Sequence, residues 1–537
     1  MTTGAEVVAL GLREHGMEAA FGLPGVHNHA LWPACAAAGV RIVGTRHEQG
    51  AVYAADGLAR STGALGVALT TTGPGAANTL AGVGEAWASH SPILVIATDI
   101  PTTQRTPGVY RGALHECADQ AAMFEPVTKS TIVVRTADKI GAAIHAAAND
   151  AMLAPQGPVY VEIPTDLLGT SAASTTRRAP SLPPDVGVEP LLDAIASSLR
   201  PMLWVGGGAR DAGAEIDQLA TALGAPVITT YQARGVLPVD HPLLVPAPPH
   251  EPPVTALIAS ADLAIVVGSD LDAMNTMGWR LPLPERRVAI NVDARDAVKS
   301  YAMDAVLEGD ARAAGALAAA CTPRAPWAGD LHALVATLRD ELRDTPATRE
   351  SIEFLERTEA ALPDDAVVFA DMCIGGYWLA GHFRVHQPRS LHYPMGWGTL
   401  GFAFPASIGA AVAHQSTGRP VVSVNGDGGM LFALGELATV AQEGLALTTV
   451  VIDDGGYGML RYGHEHEASL GTELHTPDFA AVARGFGIAA RTVHGVGTDF
   501  ATALTEAVKS REPSLLHVHA HLYPPRTTSP RWPLKGA

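Results

Sequence analysis

The sequence predicts an α/β protein of three doubly wound parallel-sheet units, and three observations carry that reading. Short apolar, β-branched runs alternate along the chain with Ala- and Leu-rich segments of helical period. Two stretches interrupt the alternation, residues 171–184 and 321–330, and both read as linkers. They leave units at 1–170, 190–320 and 350–525. Residues 421–457 then read as a strand, a Gly-Asp-Gly-Gly turn, a crossover helix, a second strand and an Asp-Asp-Gly-Gly-Tyr turn.

Composition narrows the functional classes. The 537 residues, 47% of them hydrophobic, suffice for two or three domains each with its own core. No apolar run is long enough to span a bilayer. The opening MTTGAEVVALGLREHG carries charge early and reads as an amphipathic helix, not a signal peptide. A formal charge of −18 argues against nucleic acid or anionic membrane as a partner, since both need clustered Lys and Arg. Cys35, Cys117, Cys321 and Cys373 show no metal-ligand spacing and suit a reducing cytoplasm, the expected location.

In the first unit, strands are expected at 19–21, 41–43, 67–70, 93–97 and 158–163, the last closing the sheet. A helix follows His47-Glu48-Gln49 through Ala51, Ala54, Ala55, Leu58 and Ala59. In the second unit, strands are expected at 202–205, 226–229, 263–267 and 288–292. Its Gly206-Gly207-Gly208 turn lacks the full dinucleotide pattern and reads as a structural turn. A helix over 334–342 leads into the third unit, with strands at 367–370, 421–424 and 447–452. Leu431, Leu434, Leu437, Ala438 and Ala441 place one crossover helix between the last two. The tail from Pro524 has no periodicity and reads as a surface arm.

Asp427 and Asp454 stand 27 positions apart, each just past the carboxyl end of a strand, where open parallel sheets place ligands. Two carboxylates with backbone carbonyls nearby suit a hard cation such as Mg²⁺ bridged to phosphate. Gly-Asp-Gly alone is also an ordinary turn; the whole unit is far more specific. Glu48 falls between a strand and an Ala-rich helix, where a cleft can hold a carboxylate against apolar walls. Helix capping or ion pairing is its structural alternative.

The segments GLPGVHN, RHEQGAVYAADGLAR, TTGPGAAN, GTLGFAFPASIGAA and the GDGG and DDGGYG turns occur in this order and span essentially the whole chain. Together they resemble the thiamine diphosphate (ThDP) enzymes. The resemblance implies pyrimidine-binding (1–170), central (190–320) and diphosphate-binding (350–525) domains. Glu48 would hydrogen-bond the aminopyrimidine ring, Leu400 would hold the coenzyme bent, and the Gly398 carbonyl would accept from its amine. Asp427, Asp454 and the Gly456 carbonyl would hold Mg²⁺, with Gly426, Gly428, Gly429 and Tyr457 lining the same cofactor turn. The family usually carries Asn where this chain has Asp454; Asp keeps the oxygen ligand and adds a negative charge. Active sites in this family lie between subunits, so a homodimer or homotetramer is expected.

The reaction implied is non-oxidative decarboxylation of a small 2-oxo acid through a C2 ylide and an enamine. An acetolactate synthase-like carboligase is the alternative, and such relatives often hold FAD in the central domain, which the sequence leaves open. A non-catalytic protein that keeps the fold is the third reading, against which Glu48 and Asp427 both argue. His115 resembles the acid/base position of several 2-oxo acid decarboxylases, and His27 is a second candidate; either is otherwise a loop histidine. LHE..DQ with GLPGVHN looks most like 5-guanidino-2-oxopentanoate decarboxylases and their neighbours. GMLRY at 458–462 is similar to benzoylformate decarboxylase-like enzymes, with Leu460 where pyruvate decarboxylases carry Glu. His464-Glu465-His466-Glu467 lacks zinc spacing and reads as a solvated loop. For a cationic substrate, Glu116, Asp119 and Glu467 are candidate readers of the distal charge.

Overall fold

Seventeen strands form three parallel sheets in the computed structural model, which describes residues 2–106, 108–175, 187–463 and 470–527. The first sheet contains β1 (Ala19–Gly22), β2 (Arg41–Gly44), β3 (Gly66–Thr70), β4 (Ile93–Asp99), β5 (Ser130–Val133) and β6 (Val159–Pro164). Their order is β2-β1-β3-β4-β6-β5. The second sheet contains β7 (Pro201–Val205), β8 (Val227–Thr229), β9 (Leu263–Val267), β10 (Arg287–Asn291) and β11 (Ala305–Glu308), in the order β11-β10-β9-β7-β8. The third contains β12 (Val367–Ala370), β13 (Leu391–His392), β14 (Val421–Gly426), β15 (Leu447–Asp453), β16 (Ala489–His494) and β17 (Ser514–His519). Its order, β13-β12-β14-β15-β17-β16, repeats that of the first sheet strand for strand. Central strands such as β4 and β15 are buried at every residue because helices cover both faces.

Three expectations need correction. The segment 158–163 does not close the first sheet: β5 pairs outside it, with Ser130 opposite Val159. The crossover between β14 and β15 is not one helix but Asp427–Ala433, a 3₁₀ turn Leu434–Glu436 and Leu437–Glu443. The tail is not a free arm over its described part, because Thr527 is buried and Arg526 pairs with buried Glu251 at 3.1 Å. The linker at 171–184 lies largely outside the described residues, as does His464-Glu465-His466-Glu467. Among the described residues no helix is long and apolar enough to cross a membrane.

The third unit is the hub of the packing. One apolar core joins it to the second sheet, with Trp204 and Val266 continuous with Phe354 and Trp378. Another joins it to the first, with Phe21 and Tyr53 continuous with Phe402 and Met430. In the latter the helix Glu48–Thr62 crosses the helix Ala403–Ala413 at very short range. A Cβ on Gly57 would overlap the Ala406 carbonyl, and one on Gly409 would overlap the Ala54 carbonyl. Beside the crossing, buried Arg60 forms charge-assisted hydrogen bonds to Asp56 (2.7 Å) and Glu85 (3.1 Å), so neither acid is left unpaired.

Candidate active site

The Thr72–Asn78 segment, which follows β3 and contains the one-turn helix Pro74–Ala77, gathers the candidates of the first unit. Asn78 Nδ2 donates to Glu48 Oε2 at 3.0 Å, and a Cβ on Gly75 would sit 3.2 Å from Glu48 Oε1. Glu48 itself is buried at the first turn of its helix. At the other end of the loop, Thr72 Oγ1 meets His27 Nδ1 at 2.8 Å, and Gly73 lies against the His115 carbonyl. The rings of His27 and His115 meet edge to face, with centroids 5.4 Å apart. His115 is held at φ +67°, in the left-handed region that few residues other than Gly adopt. Burial, followed by the neighbouring His115, holds His27 below the usual imidazole range, although Asp99 opposes the shift.

A buried polar layer supports the two histidines. Gln120 Oε1 accepts from the Gly73 amide at 2.6 Å, while its Nε2 donates to the Thr98 carbonyl, Tyr160 and Glu162. Arg105 grips Asp99 through two hydrogen bonds and also donates to the Cys117 carbonyl, tying down the loop that carries His115. Burial, reinforced by Asp99, pushes Glu162 up to about 7. Glu116 and Asp119 are occupied in the same loop. Glu116 accepts from the Arg111 and Ala113 amides, and Asp119 from the Ala122 amide.

The second half of the site lies at the carboxyl ends of β14 and β15. Asp427 Oδ1 accepts from the Gly428 amide and Oδ2 from the Gly456 amide, both at 2.7 Å. Gly426, Gly428 and Gly429 leave no room for side chains against Cys373, the Tyr457 ring and the Asp371 carboxylate. Gly456 sits at φ +151° and brings the Tyr457 amide to the Thr472 carbonyl at 2.8 Å. Burial, with Asp454 and Asp453 beside it, pushes Asp427 up to about 7. Burial also raises Asp454, against the opposing charge of Arg461. Asp454 Oδ1 is buried and has no hydrogen-bond partner.

This donor set fits a hard divalent cation: crowded carboxylates, one with a buried oxygen that makes no hydrogen bond and has Arg461 Nη1 at 3.7 Å, and a glycine backbone with no room for side chains. The 396–401 turn beside it is pinned from two sides. Asp371 accepts from the Gly401 amide at 2.9 Å, and Glu85 from the Trp397 amide at 3.3 Å. Gly398 in this turn adopts φ +65°, and Leu400 is 36% exposed, so Leu400 is not an ordinary core residue of the single chain.

Two acids that matter here were not singled out from the sequence. Asp371 follows β12 with no glycine signature around it. Glu436 is buried in the 3₁₀ turn and accepts from the Arg46 (2.9 Å) and His47 (3.0 Å) amides, capping the approach to Glu48 across the unit boundary. Among the described residues no hydrogen bond or ion pair joins Glu48 to Asp427, Asp454 or Gly456.

Comparison with known proteins adds three matches to family profiles. The thiamine pyrophosphate enzyme N-terminal TPP binding domain matches residues 2–123, the central domain 188–318 and the C-terminal TPP binding domain 373–518. The chain is 34% identical to a probable 2-ketoarginine decarboxylase, AruI, of Pseudomonas aeruginosa, over 91% of this chain and 89% of the relative. It is 29% identical to a probable acetolactate synthase large subunit of Methanocaldococcus jannaschii, over 96% and 91% of the two chains. A thiamine diphosphate-dependent 4-hydroxybenzoylformate decarboxylase of Rhodococcus jostii RHA1 superposes with a TM-score of 0.83 at 24% identity, covering 97% of this chain and 99% of that one.

Proposed function

Since the chain belongs to the thiamine pyrophosphate enzyme family, we propose that it is a Mg²⁺-dependent decarboxylase of a 2-oxo acid, acting non-oxidatively. Its units are assigned as pyrimidine-binding (1–170), central (190–320) and diphosphate-binding (350–525). The observation that carries the reading is the edge-to-face pair of His27 and His115, on the same loop that touches Glu48. Decarboxylation must end with a proton delivered to carbon. A carboligase needs that place kept free for a second carbonyl compound.

Thiamine diphosphate, when bound, supplies the carbon nucleophile and the electron sink. Asp427, Asp454 and the Gly456 carbonyl would hold the Mg²⁺ that offsets the diphosphate charge, in the turn built by Gly426, Gly428, Gly429 and Tyr457. Glu48 would hold a proton at the aminopyrimidine ring nitrogen, with Asn78 fixing its other oxygen. The Gly398 carbonyl and Leu400 would orient the same ring. His27, its imidazole pKa lowered by burial, would pass a proton with His115 at the substrate side.

Each chain carries both half-sites, yet among the described residues no hydrogen bond or ion pair joins Glu48 to Asp427, Asp454 or Gly456, and a homodimer or homotetramer would complete the centre. Exposed Trp397, Leu400, Leu431 and Phe432 beside the third-unit half support this assembly, because large exposed apolar residues in one area mark an interface. The likeness to a 2-ketoarginine decarboxylase makes a basic 2-oxo acid the first substrate to try. The acetolactate synthase likeness keeps a carboligase, with or without FAD, as the second reading.

The test is product analysis with thiamine diphosphate and Mg²⁺, using pyruvate and 2-oxo acids with basic, aromatic and aliphatic side chains. Aldehyde and CO₂ in equal amounts are expected. Acetolactate from pyruvate would move the protein to the second reading, and a flavin band in the visible spectrum of the purified protein would accompany it. Equal kcat/KM for basic and neutral substrates would remove the proposed charge selectivity.

A further inference from the structure

A second group of ligating side chains, Asp453, His517 and His519, converges one residue before Asp454. In register, Asp453 of β15 faces His519 of β17, and His519 faces His494 of β16. His517 precedes His519 by two residues, so both imidazoles stand on one face of the strand. Asp453 Oδ2 lies 2.8 Å from His517 Nε2 and 3.9 Å from His519 Nδ1. The two imidazole centroids are 4.3 Å apart, and one ligand atom from each of the three residues falls within 4.8 Å of the others.

We propose that Asp453, His517 and His519 bind a divalent transition ion of the zinc class, next to the cofactor cradle of Asp427, Asp454 and Gly456 and sharing none of its ligands. Asp453 nonetheless contacts Asp427 and accepts from the Gly455 amide and Thr476 Oγ1, both at 3.0 Å. Bonds of about 2.0–2.1 Å in tetrahedral geometry separate ligand atoms by about 3.4 Å. The two distances to Asp453 straddle that value, so small side-chain shifts suffice. One carboxylate and two imidazoles are a borderline donor set that suits zinc better than magnesium. His519 has a 43% exposed side chain, which gives an ion a way in and leaves room for a water as fourth ligand.

A second observation points the same way. His517 is 2% exposed, and its Nδ1 has no hydrogen-bond partner. In the neutral tautomer that donates Nε2–H to Asp453, Nδ1 carries no proton. The neighbour Nδ1 faces is Asp478 Oδ1 at 3.7 Å, an acceptor and not a donor. An ion on Nε2 displaces that proton, which comes to rest on Nδ1 and points at Asp478, with no net proton lost. Metal-bound histidines commonly have this carboxylate behind them. The ion would then fasten β15 to β17 one residue before Asp454, a structural role.

The proposal does not depend on the cofactor reading, and its test separates the two. Chelator-stripped full-length protein is saturated with Mg²⁺ and thiamine diphosphate, then titrated with ZnCl₂ against a competing chelator. One zinc per chain is expected, bound at least about 100-fold more weakly by His519→Ala, as befits loss of one of three ligands. Asp454→Asn, which alters the cradle, should bind zinc as the parent does. No saturable zinc, equal affinity in His519→Ala, or loss confined to Asp454→Asn would each overturn the proposal.

Discussion

The Oδ2 atom of Asp427 accepts a hydrogen bond from the Gly456 amide at 2.7 Å, so the two glycine-rich turns at 426–429 and 454–457 close on each other. Its Oδ1 accepts from Gly428 at the same distance, and the side chain is 2% exposed. Asp427→Asn would set an NH₂ group against one of these donors and remove the charge. Calorimetry should find Mg²⁺-dependent coenzyme binding weakened about 100-fold or more, about 2.7 kcal/mol. The unmade hydrogen bond should destabilise the metal-free protein by about 1–3 kcal/mol.

Glu48→Gln keeps an oxygen for Asn78 Nδ2 and removes only the proton-holding role proposed for Glu48. Thermal stability should be unchanged within about 0.5 kcal/mol, as for substitutions that break no contact. Turnover should fall by about 10²–10⁴-fold, the range for loss of acid–base assistance. Parent-level turnover in this variant would remove Glu48 from the chemistry.

His27 and His115 touch, so their effects should not add. Single replacements by Asn and the double replacement form a cycle whose coupling in kcat/KM should be about 0.5–3 kcal/mol. A coupling of zero would mean that the pair does not act as a unit. Coenzyme binding, read by calorimetry, should stay near the parent value in all three variants.

Glu162 gives the fold a pH dependence of defined sign. Its folded-state value of about 7 lies above the ordinary 4.5, so the folded protein holds this proton more tightly than the unfolded chain. The neutral carboxyl is stabilising relative to the charged one, and that advantage drains away as pH rises from 4.5 through 7. The full loss is about 3 kcal/mol at most. Glu162→Gln should therefore flatten Tm across this window and raise it above pH 7; a slope equal to the parent's would contradict the assignment.

At the helix crossing, Gly57→Ala drives a methyl group into the Ala406 carbonyl. With a backbone atom as the obstacle, relief requires the helices to part. A loss of about 3 kcal/mol is expected from denaturant midpoints, at the upper end of ordinary overpacking. Gly409→Ala, which meets Ala54, should cost a similar amount.

Legibility followed the locality of the signal. The strand β15 (LTTVVID) and the turns at 426–429 and 454–457 carry their meaning in consecutive residues, and the sequence places them within a residue or two. Strand β16 was missed because it is an edge: only Val493 is buried among AARTVH, so no alternation shows. The half-buried STIV of β5 was missed for the same reason, and its absence misplaced the sheet's edge. Strand β17 hid because two histidines interrupt its apolar run. Glu436 is the harder case. Its partners, the Arg46 and His47 amides, lie some 390 residues earlier, and they account for a buried acid in a 3₁₀ break where the periodicity predicts an unbroken helix.

The Gly57–Ala406 and Gly409–Ala54 contacts bear on how such chains can be recombined. Both helices follow the second strand of their own sheet, and each presents a bare backbone where the other presents a carbonyl. Loops carrying His27 or His115 can be grafted from elsewhere without disturbing that seam. A chimera that takes its first unit from one parent and its third from another must import both helices together, or assemble with the two units out of true.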